Sequence, residues 1–196
     1  MTAFVDLGRR KLLRMGALLG ICAATGIDGL LGPAAADVSI PLRLKNPHTN
    51  ESYDIQLFQG GQWNPAALVV CDWIMRDWRE NAVVHCDRKL YAALYVLQRY
   101  FNPREPLIIN SGYRTEKTNA MLRKQSLAET GGRATWMTPA INSLHTRARA
   151  VDFVVPGASL DKVGEAIWAL NLGGLGRYPT FNHMDTGGRR RWGTRG

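Results

Sequence analysis

Two histidines and one aspartate, set far apart along the chain, most constrain the fold that this sequence can adopt. His145 precedes Asp152 by seven residues, and His183 follows Asp152 by thirty-one. Two imidazoles and one carboxylate are a ligand set of catalytic zinc sites, which leave a fourth position for water. The spacing alone also fits two unrelated histidines, because no close-set pair of the HExxH type is present. A zinc site here requires a fold that returns the C-terminal segment to His145 and Asp152.

The N-terminal residues have the pattern of an export signal. A twin arginine is followed by an apolar run over residues 15–27 and then by small residues at 34–36. The run is too short for a comfortable transmembrane span, and an uncleaved anchor is the alternative. We expect a twin-arginine signal peptide over residues 1–36, a mature domain over 37–196 and a periplasmic location.

The charge balance indicates an anionic partner without identifying it. The whole chain has a formal net charge of +9, and loss of the signal removes four basic and two acidic residues, which leaves +7. Nucleic acid, lipid headgroups and cell-wall polymer would each suit such a surface. Nucleic acid is not expected, because export argues against it and only Trp192 is interleaved with the basic tail. We expect Trp192 to pack on the body and the tail arginines to lie in solvent: Arg189, Arg190, Arg191 and Arg195.

Two cysteines, Cys71 and Cys86, remain in the mature chain. In an oxidising compartment they could pair and close a short loop. Both also lie among apolar residues, where buried free thiols are common. The sequence leaves the two states open.

Six segments have strand patterns. The first two alternate apolar and polar residues around a turn and predict a β-hairpin. The next two are short apolar runs, typical of buried strands, and the last two predict a closing pair that brings His183 back beside His145 and Asp152. In chain order the segments are residues 40–44, 52–58, 106–110, 150–155, 175–178 and 181–185.

Four segments have helical patterns, and three of them have recognisable N-caps. Together with the strands they predict a single α+β domain, in which helices pack against an antiparallel sheet. The segments are residues 66–79, 88–100, 116–128 and about 160–172.

Two further segments predict the walls of a cleft. The strand that ends in Ser111 and Gly112 delivers Arg114, a common way to place a cation in a cleft, although an ordinary surface arginine is the alternative. The polar connection over residues 129–142 is long enough to form a mobile rim over a site.

Short motifs in one shared order cover nearly the whole mature chain. They are residues 44–51, 76–79, 111–114 with Asn119, 143–152, 173–179, and 182–187 with Arg190 and Trp192. In this order they resemble the peptidoglycan-cleaving branch of the bacterial zinc D-alanyl-D-alanine peptidases, whose fold is shared with the Hedgehog signalling domain. The resemblance implies that fold, with activity on peptidoglycan stem peptides or cross-links as a D,D- or L,D-endopeptidase, or as a carboxypeptidase.

The resemblance also implies roles for individual residues. His145, Asp152 and His183 would hold the zinc ion, which lowers the pKa of bound water to about 7 and polarises the scissile carbonyl. Arg114 would stabilise the substrate or the developing oxyanion. Peptidoglycan, an anionic polymer, would be the partner, with membrane contact only during export.

Two positions depart from the family pattern. Better-known relatives place a carboxylate three residues before the final histidine, where this chain has Thr180. Asp185 is the nearest candidate for the catalytic base, and it could equally orient the His183 ring. Ala148 stands where the pattern has glycine, which predicts local strain if that position needs a positive φ. Both departures favour the alternative function, a zinc-containing wall-binding or assembly module without turnover.

Overall fold

A seven-stranded mixed sheet carries the fold. The computed structural model describes residues 40–194; the expected signal peptide and Arg195 lie outside the described residues. The helices are α1 (Pro65–Ile74), α2 (Arg88–Phe101), α3 (Glu116–Glu129) and α4 (Leu160–Leu170). The strands are β1 (Leu42–Asn46), β2 (Glu51–Ile55), β3 (Phe58–Gln59), β4 (Gln62–Trp63), β5 (Leu107–Ser111), β6 (Ala150–Val154), β7 (Gly174–Arg177), β8 (Asn182–Asp185) and β9 (Arg190–Gly193).

The strand order in the large sheet is β2-β1-β5-β6-β8-β7-β9, and β3 and β4 form a separate small hairpin. Within the large sheet, β1 pairs with β5 and β7 pairs with β9 in parallel, while the other neighbours are antiparallel. The predicted α+β domain with a mainly antiparallel sheet is therefore confirmed, with two parallel pairings added.

The predicted helices are present, and their caps match the sequence. Asn64 accepts hydrogen bonds from the backbone of Ala66 and Ala67, and Asp87 and Ser159 cap α2 and α4 in the same way. The helix expected over residues 66–79 ends at Ile74 instead. The residues after it turn inward, because the side chains of Arg76 and Asp77 are buried and bonded to distant parts of the chain.

The central strand β6 is buried along almost its whole length. Its apolar residues Val151 and Phe153 join the core, together with leucines from β1, α2 and β5. Since β6 lies in the middle of the sheet, a polar side chain on it is held in a rigid frame. Asp152 is that side chain.

The C-terminal strand β9 was not predicted. It pairs in parallel with β7 at one edge of the sheet, and Trp192 is half-buried against the body. The expectation for the arginines holds for the exposed Arg189 and Arg191, which stack on the Trp168 ring. Arg190 is exposed as well, but its guanidinium also binds the buried Asp185, a bond that was not expected.

Both cysteines are free thiols in the structure, with Cys71 buried and Cys86 partly buried. Residues 40–194 contain no helix that is both long and apolar enough to cross a membrane.

Candidate metal centre

The sheet brings together the three side chains that the sequence singles out. Asp152 on β6 and His183 on β8 are direct partners in the antiparallel register, so both side chains point to the same face. His145 lies on a 3₁₀ turn, Leu144–Arg147, that leads into β6, and Ser143 caps this turn. All three side chains are almost fully buried.

Three potential ligand atoms converge at this point. Asp152 Oδ1 lies 2.8 Å from His183 Nδ1 and 3.3 Å from His145 Nε2, and the two ring nitrogens are 3.2 Å apart. Within residues 40–194 this is the one group of three such residues close enough to hold a metal ion.

The outer nitrogen of each ring is bonded so that the inner nitrogen faces the cluster. His145 Nδ1 lies 2.7 Å from the carbonyl oxygen of Gly112, which can only accept, so Nδ1 carries the proton. His183 Nε2 lies 3.0 Å from the carboxylate of Asp185, which fixes the proton there in the neutral ring. His145 Nε2 and His183 Nδ1 are thus left as the two inward lone pairs.

Charges around the cluster shift the pKa of each of its three members. Burial and the nearby Arg114 lower the pKa of His145, which keeps its ring neutral. Burial raises the pKa of Asp152, but the two histidines and Arg114 outweigh it and hold that pKa well below its usual range. Burial lowers the pKa of His183, and its hydrogen bonds to Asp152 and Asp185 outweigh that effect and raise it. Asp152 is therefore a carboxylate anion, and its negative charge favours a positively charged neighbour, either a protonated His183 or a bound cation.

Arg114 reaches the cluster from the end of β5. The register between β5 and β6 shifts between Ile109 and Ser111, which places Ser111 opposite Asp152. Arg114 Nε donates to Ser111 Oγ at 2.8 Å, and Nη2 donates to Asp152 Oδ2 at 2.5 Å. Arg114 is therefore fixed beside the cluster, with Nη1 uncommitted among the described residues.

Asp185 is enclosed completely. Its Oδ1 accepts from the backbone of Gly174 and Gly187, and Arg190 donates to both carboxylate oxygens. Burial raises the pKa of Asp185, but the bonds from His183 and Arg190 outweigh it and hold that pKa below its ordinary value. With both oxygens occupied and none of the residue exposed, the geometry favours the orienting role over that of a base.

Ala148 has φ +52° and ψ +36°, so this position does lie in the left-handed region. An alanine there costs about 1 kcal/mol relative to an unstrained backbone. Its carbonyl accepts from the Asp87 backbone at 2.9 Å, and its N–H donates to the His145 carbonyl. The strain expected from the sequence is present, and it lies next to His145.

An open cleft of about 540 Å³ has this cluster on its wall. The connection expected to form a rim does line it, and Asn119 and Arg123 tie that connection to α3 by bonds to the carbonyls of Ala140 and Pro139. Four aromatic residues also line the cleft, an arrangement that sequence reasoning missed: Trp136, which belongs to this connection, and Tyr178, Phe181 and Trp192. Thr180, where better-known relatives have a carboxylate, is exposed in the turn between β7 and β8.

A family model described as peptidoglycan L,D-endopeptidase MepK matches residues 34–192. The chain belongs to this family. The peptidoglycan L,D-endopeptidase MepK of Escherichia coli (strain K12) is 35% identical over 193 residues, which cover 95% of this chain and 98% of the relative. A probable peptidoglycan L,D-endopeptidase MepK of Haemophilus influenzae is 35% identical over 196 residues, 96% and 97% of the two chains. No solved structure matches the chain significantly.

Membership of the MepK family confirms the resemblance drawn from the motifs. The matched residues include the whole cluster, Arg114 and the aromatic residues that line the cleft. The members of this family that match over nearly their full length are named as endopeptidases. The cluster and its cleft are therefore the candidate active site of this chain.

Proposed function

We propose that this protein is an exported, zinc-dependent endopeptidase that hydrolyses peptidoglycan stem peptides or cross-links in the periplasm. Residues 1–36 would direct its export by the twin-arginine route. The observation that carries the proposal is the convergence of two inward-facing imidazole nitrogens and a carboxylate oxygen on the wall of an open cleft. The names of the MepK relatives support an L,D bond as the one that is cleaved.

The donor set fits zinc. Four ligands placed tetrahedrally at about 2.0–2.2 Å from zinc are separated from one another by about 3.3–3.6 Å. The three donor atoms here are 2.8 to 3.3 Å apart, so small adjustments would bring His145, Asp152 and His183 onto one ion. When bound, zinc would supply a water of lowered pKa and polarise the scissile carbonyl.

The chain's own residues would orient the two histidines and stabilise the bound substrate. Gly112 and Asp185 fix the tautomers of the two histidines, which keeps both lone pairs directed inward. Arg114 holds Asp152 with one nitrogen and has Nη1 left to bind a substrate carbonyl or the oxyanion. The loop tied to α3 and the aromatic residues of the cleft would contact an extended peptide.

The substrate class suits the charge of the protein. The mature chain is expected to carry +7, and peptidoglycan stem peptides carry carboxylates. This match supports peptidoglycan as the partner and gives no reason to add nucleic acid.

Release of muropeptides from purified sacculi tests the proposal. We expect the wild-type mature protein to release them and His183→Ala to release none, with both proteins folded by circular dichroism. Mass spectrometry of digested, chemically defined muropeptides would identify the bond. Intact sacculi after incubation with folded, zinc-loaded wild type would refute the enzymatic function.

A second candidate is a zinc-containing wall-binding module without turnover. It is favoured by the strained Ala148 and by Asp185, whose oxygens are occupied and whose side chain has no exposed surface. Such a module would bind sacculi in a pull-down assay and contain zinc, yet leave every muropeptide intact. Cleavage of any defined muropeptide by the wild type, absent in His183→Ala, would exclude it.

A further inference from the structure

Tyr178 lines the cleft and has no role in the chemistry described so far. It follows β7, and its backbone N–H donates to the Phe181 carbonyl at 3.1 Å. Its ring stacks on Phe181 with centroids 4.5 Å apart, and the Trp136 ring lies 5.4 Å away. Its neighbours therefore fix the ring, so that little side-chain entropy is lost when a ligand binds.

A glycine explains why aromatic rings lie so near the cluster. Gly176 on β7 pairs with His183 on β8. A Cβ on Gly176 would stand 2.7 Å from the Trp192 ring and 2.9 Å from the Tyr178 ring, closer than such atoms approach. The Trp192 ring in turn lies 5.0 Å from the His183 ring. The missing side chain therefore leaves room for Tyr178 and Trp192 beside the proposed zinc ligand.

The Tyr178 hydroxyl accepts one hydrogen bond and has a proton to give. Trp192 Nε1–H, which can only donate, points at the phenol oxygen from 3.2 Å. No side chain or carbonyl within residues 40–194 accepts the phenol proton in return. Burial raises the pKa of Tyr178, so the proton stays on the oxygen at neutral pH. A rigid, half-buried donor without an acceptor is prepared for a ligand atom.

We propose that Tyr178 donates this hydrogen bond to the oxygen of the scissile carbonyl as negative charge develops on it. Arg114 Nη1 would be the second donor, from the end of β5, while Tyr178 reaches in from the end of β7. No covalent bond to Tyr178 forms and no proton leaves it. Trp192 is a positioning residue, because its N–H donates to the phenol oxygen and the phenol proton must therefore point away from Trp192. This inference rests on the proposed endopeptidase function.

The test uses Tyr178→Phe, which removes one oxygen and keeps the ring contacts. On a defined muropeptide that the wild type cleaves, we expect kcat to fall about 100-fold, the usual loss for one oxyanion donor, with KM within about twofold. Zinc content and melting temperature should stay at the wild-type values. Tyr95→Phe, the same change on α2 outside the cleft lining, is the matched control and should leave kcat unchanged.

A binding measurement gives a readout that does not depend on turnover. A phosphinate analogue of the muropeptide resembles the tetrahedral transition state, and calorimetry should show its Kd rising in Tyr178→Phe by about the same factor as kcat/KM falls. Trp192→Phe should lose about 3- to 10-fold in kcat, the effect of one neutral hydrogen bond, and the double variant no more than Tyr178→Phe alone.

Several results would overturn the inference: a kcat of Tyr178→Phe within twofold of wild type, a loss confined to KM, an unchanged phosphinate Kd, or additive losses in the double variant. If the wild type cleaves no muropeptide at all, the endopeptidase function itself fails. The two failures are therefore distinguishable.

Discussion

Asp72 and Asp152 are both buried and both bind histidine, but only Asp152 belongs to the candidate metal centre. Asp72 on α1 lies in the core, where Oδ2 is 2.8 Å from His85 Nδ1. Its Oδ1 accepts from the Tyr91 hydroxyl at 2.6 Å and from the Cys86 backbone at 3.0 Å. Asp152 also binds histidine, with nearly the same burial.

The difference lies in which partners present protons and which present lone pairs. Around Asp72 the hydroxyl and the backbone N–H both direct a proton at the carboxylate, and the His85 side chain is 96% exposed. Around Asp152 both rings are buried, and outer partners direct their lone pairs inward. The same residue types thus give a structural anchor in one place and a candidate cation site in the other, because proton placement differs.

The largest expected effect is the loss of one inward lone pair. His145→Ala should reduce zinc from about one ion per chain to near zero and lower muropeptide release at least about 1,000-fold. His85→Ala, the matched change at the Asp72 site, should keep both within the error of the assay. Metal analysis after gel filtration measures the first effect. Equal zinc in the two variants would break the comparison.

The next effect tests what directs the lone pair of His183. Asp185→Asn keeps the size of the side chain but weakens its hold on the ring proton, so zinc affinity should fall about 10- to 100-fold. Competition with a chelator measures this, and excess zinc should restore most of the activity. Full zinc affinity with abolished activity would instead make Asp185 the catalytic base.

Removal of Asp72 should lower the stability of the protein and leave zinc binding unchanged. Asp72→Ala leaves the Tyr91 hydroxyl and the Cys86 N–H without their partner, and two unpaired donors should lower the free energy of unfolding by about 3 kcal/mol. Urea denaturation measures the loss. Zinc content per folded chain should stay near one; a large drop would mean that the two sites are not separate.

A smaller effect, a gain in stability, is expected where the region around Asp72 contacts the turn that carries His145. Asp87, just after the segment that Asp72 anchors, donates its backbone N–H to the carbonyl of Ala148, next to the turn of His145. Ala148→Gly should relieve the left-handed strain and raise the free energy of unfolding by about 0.5–1 kcal/mol. Urea denaturation of the two proteins should resolve this gain, and a loss of stability would contradict it.

The smallest effect concerns the thiols beside Asp72. Burial raises the pKa of Cys86 to about 12, and burial also raises that of Cys71, so almost no reactive thiolate exists at pH 8. Native mature protein should therefore take up almost no iodoacetamide, and protein unfolded without reductant should take up two equivalents by mass spectrometry. No uptake after unfolding would mean that the two cysteines form a disulfide.

Most of the fold could be predicted because its local signals agree with one another. The predicted hairpin, helices and closing strands have alternation, caps and turn residues within their own sequence. The end of α1 could not be predicted, because Arg76 is held by Glu51 and Asp77 by Thr115, partners far away in sequence. The strand β9 was missed because a parallel pairing with β7 leaves no hairpin turn to read.

The candidate site also has features that could be predicted from the sequence and features that could not. The three converging residues were predicted from residue type and family motif. The occupation of Asp185 was not, because it depends on donors from Gly174, Gly187 and Arg190 that only the folded sheet assembles. The position of Tyr178 depends on the absence of a side chain at Gly176. In the sequence alone, such a glycine indicates only a turn or a spacer.

The bond between Arg190 and Asp185 has a consequence for substitutions outside the cluster. The strand β9 carries both Arg190, which binds Asp185, and Trp192, whose ring lies 5.0 Å from the His183 ring. A change that separates β9 from β7 would therefore remove support from His183 on two sides, although no residue of β9 belongs to the cluster itself.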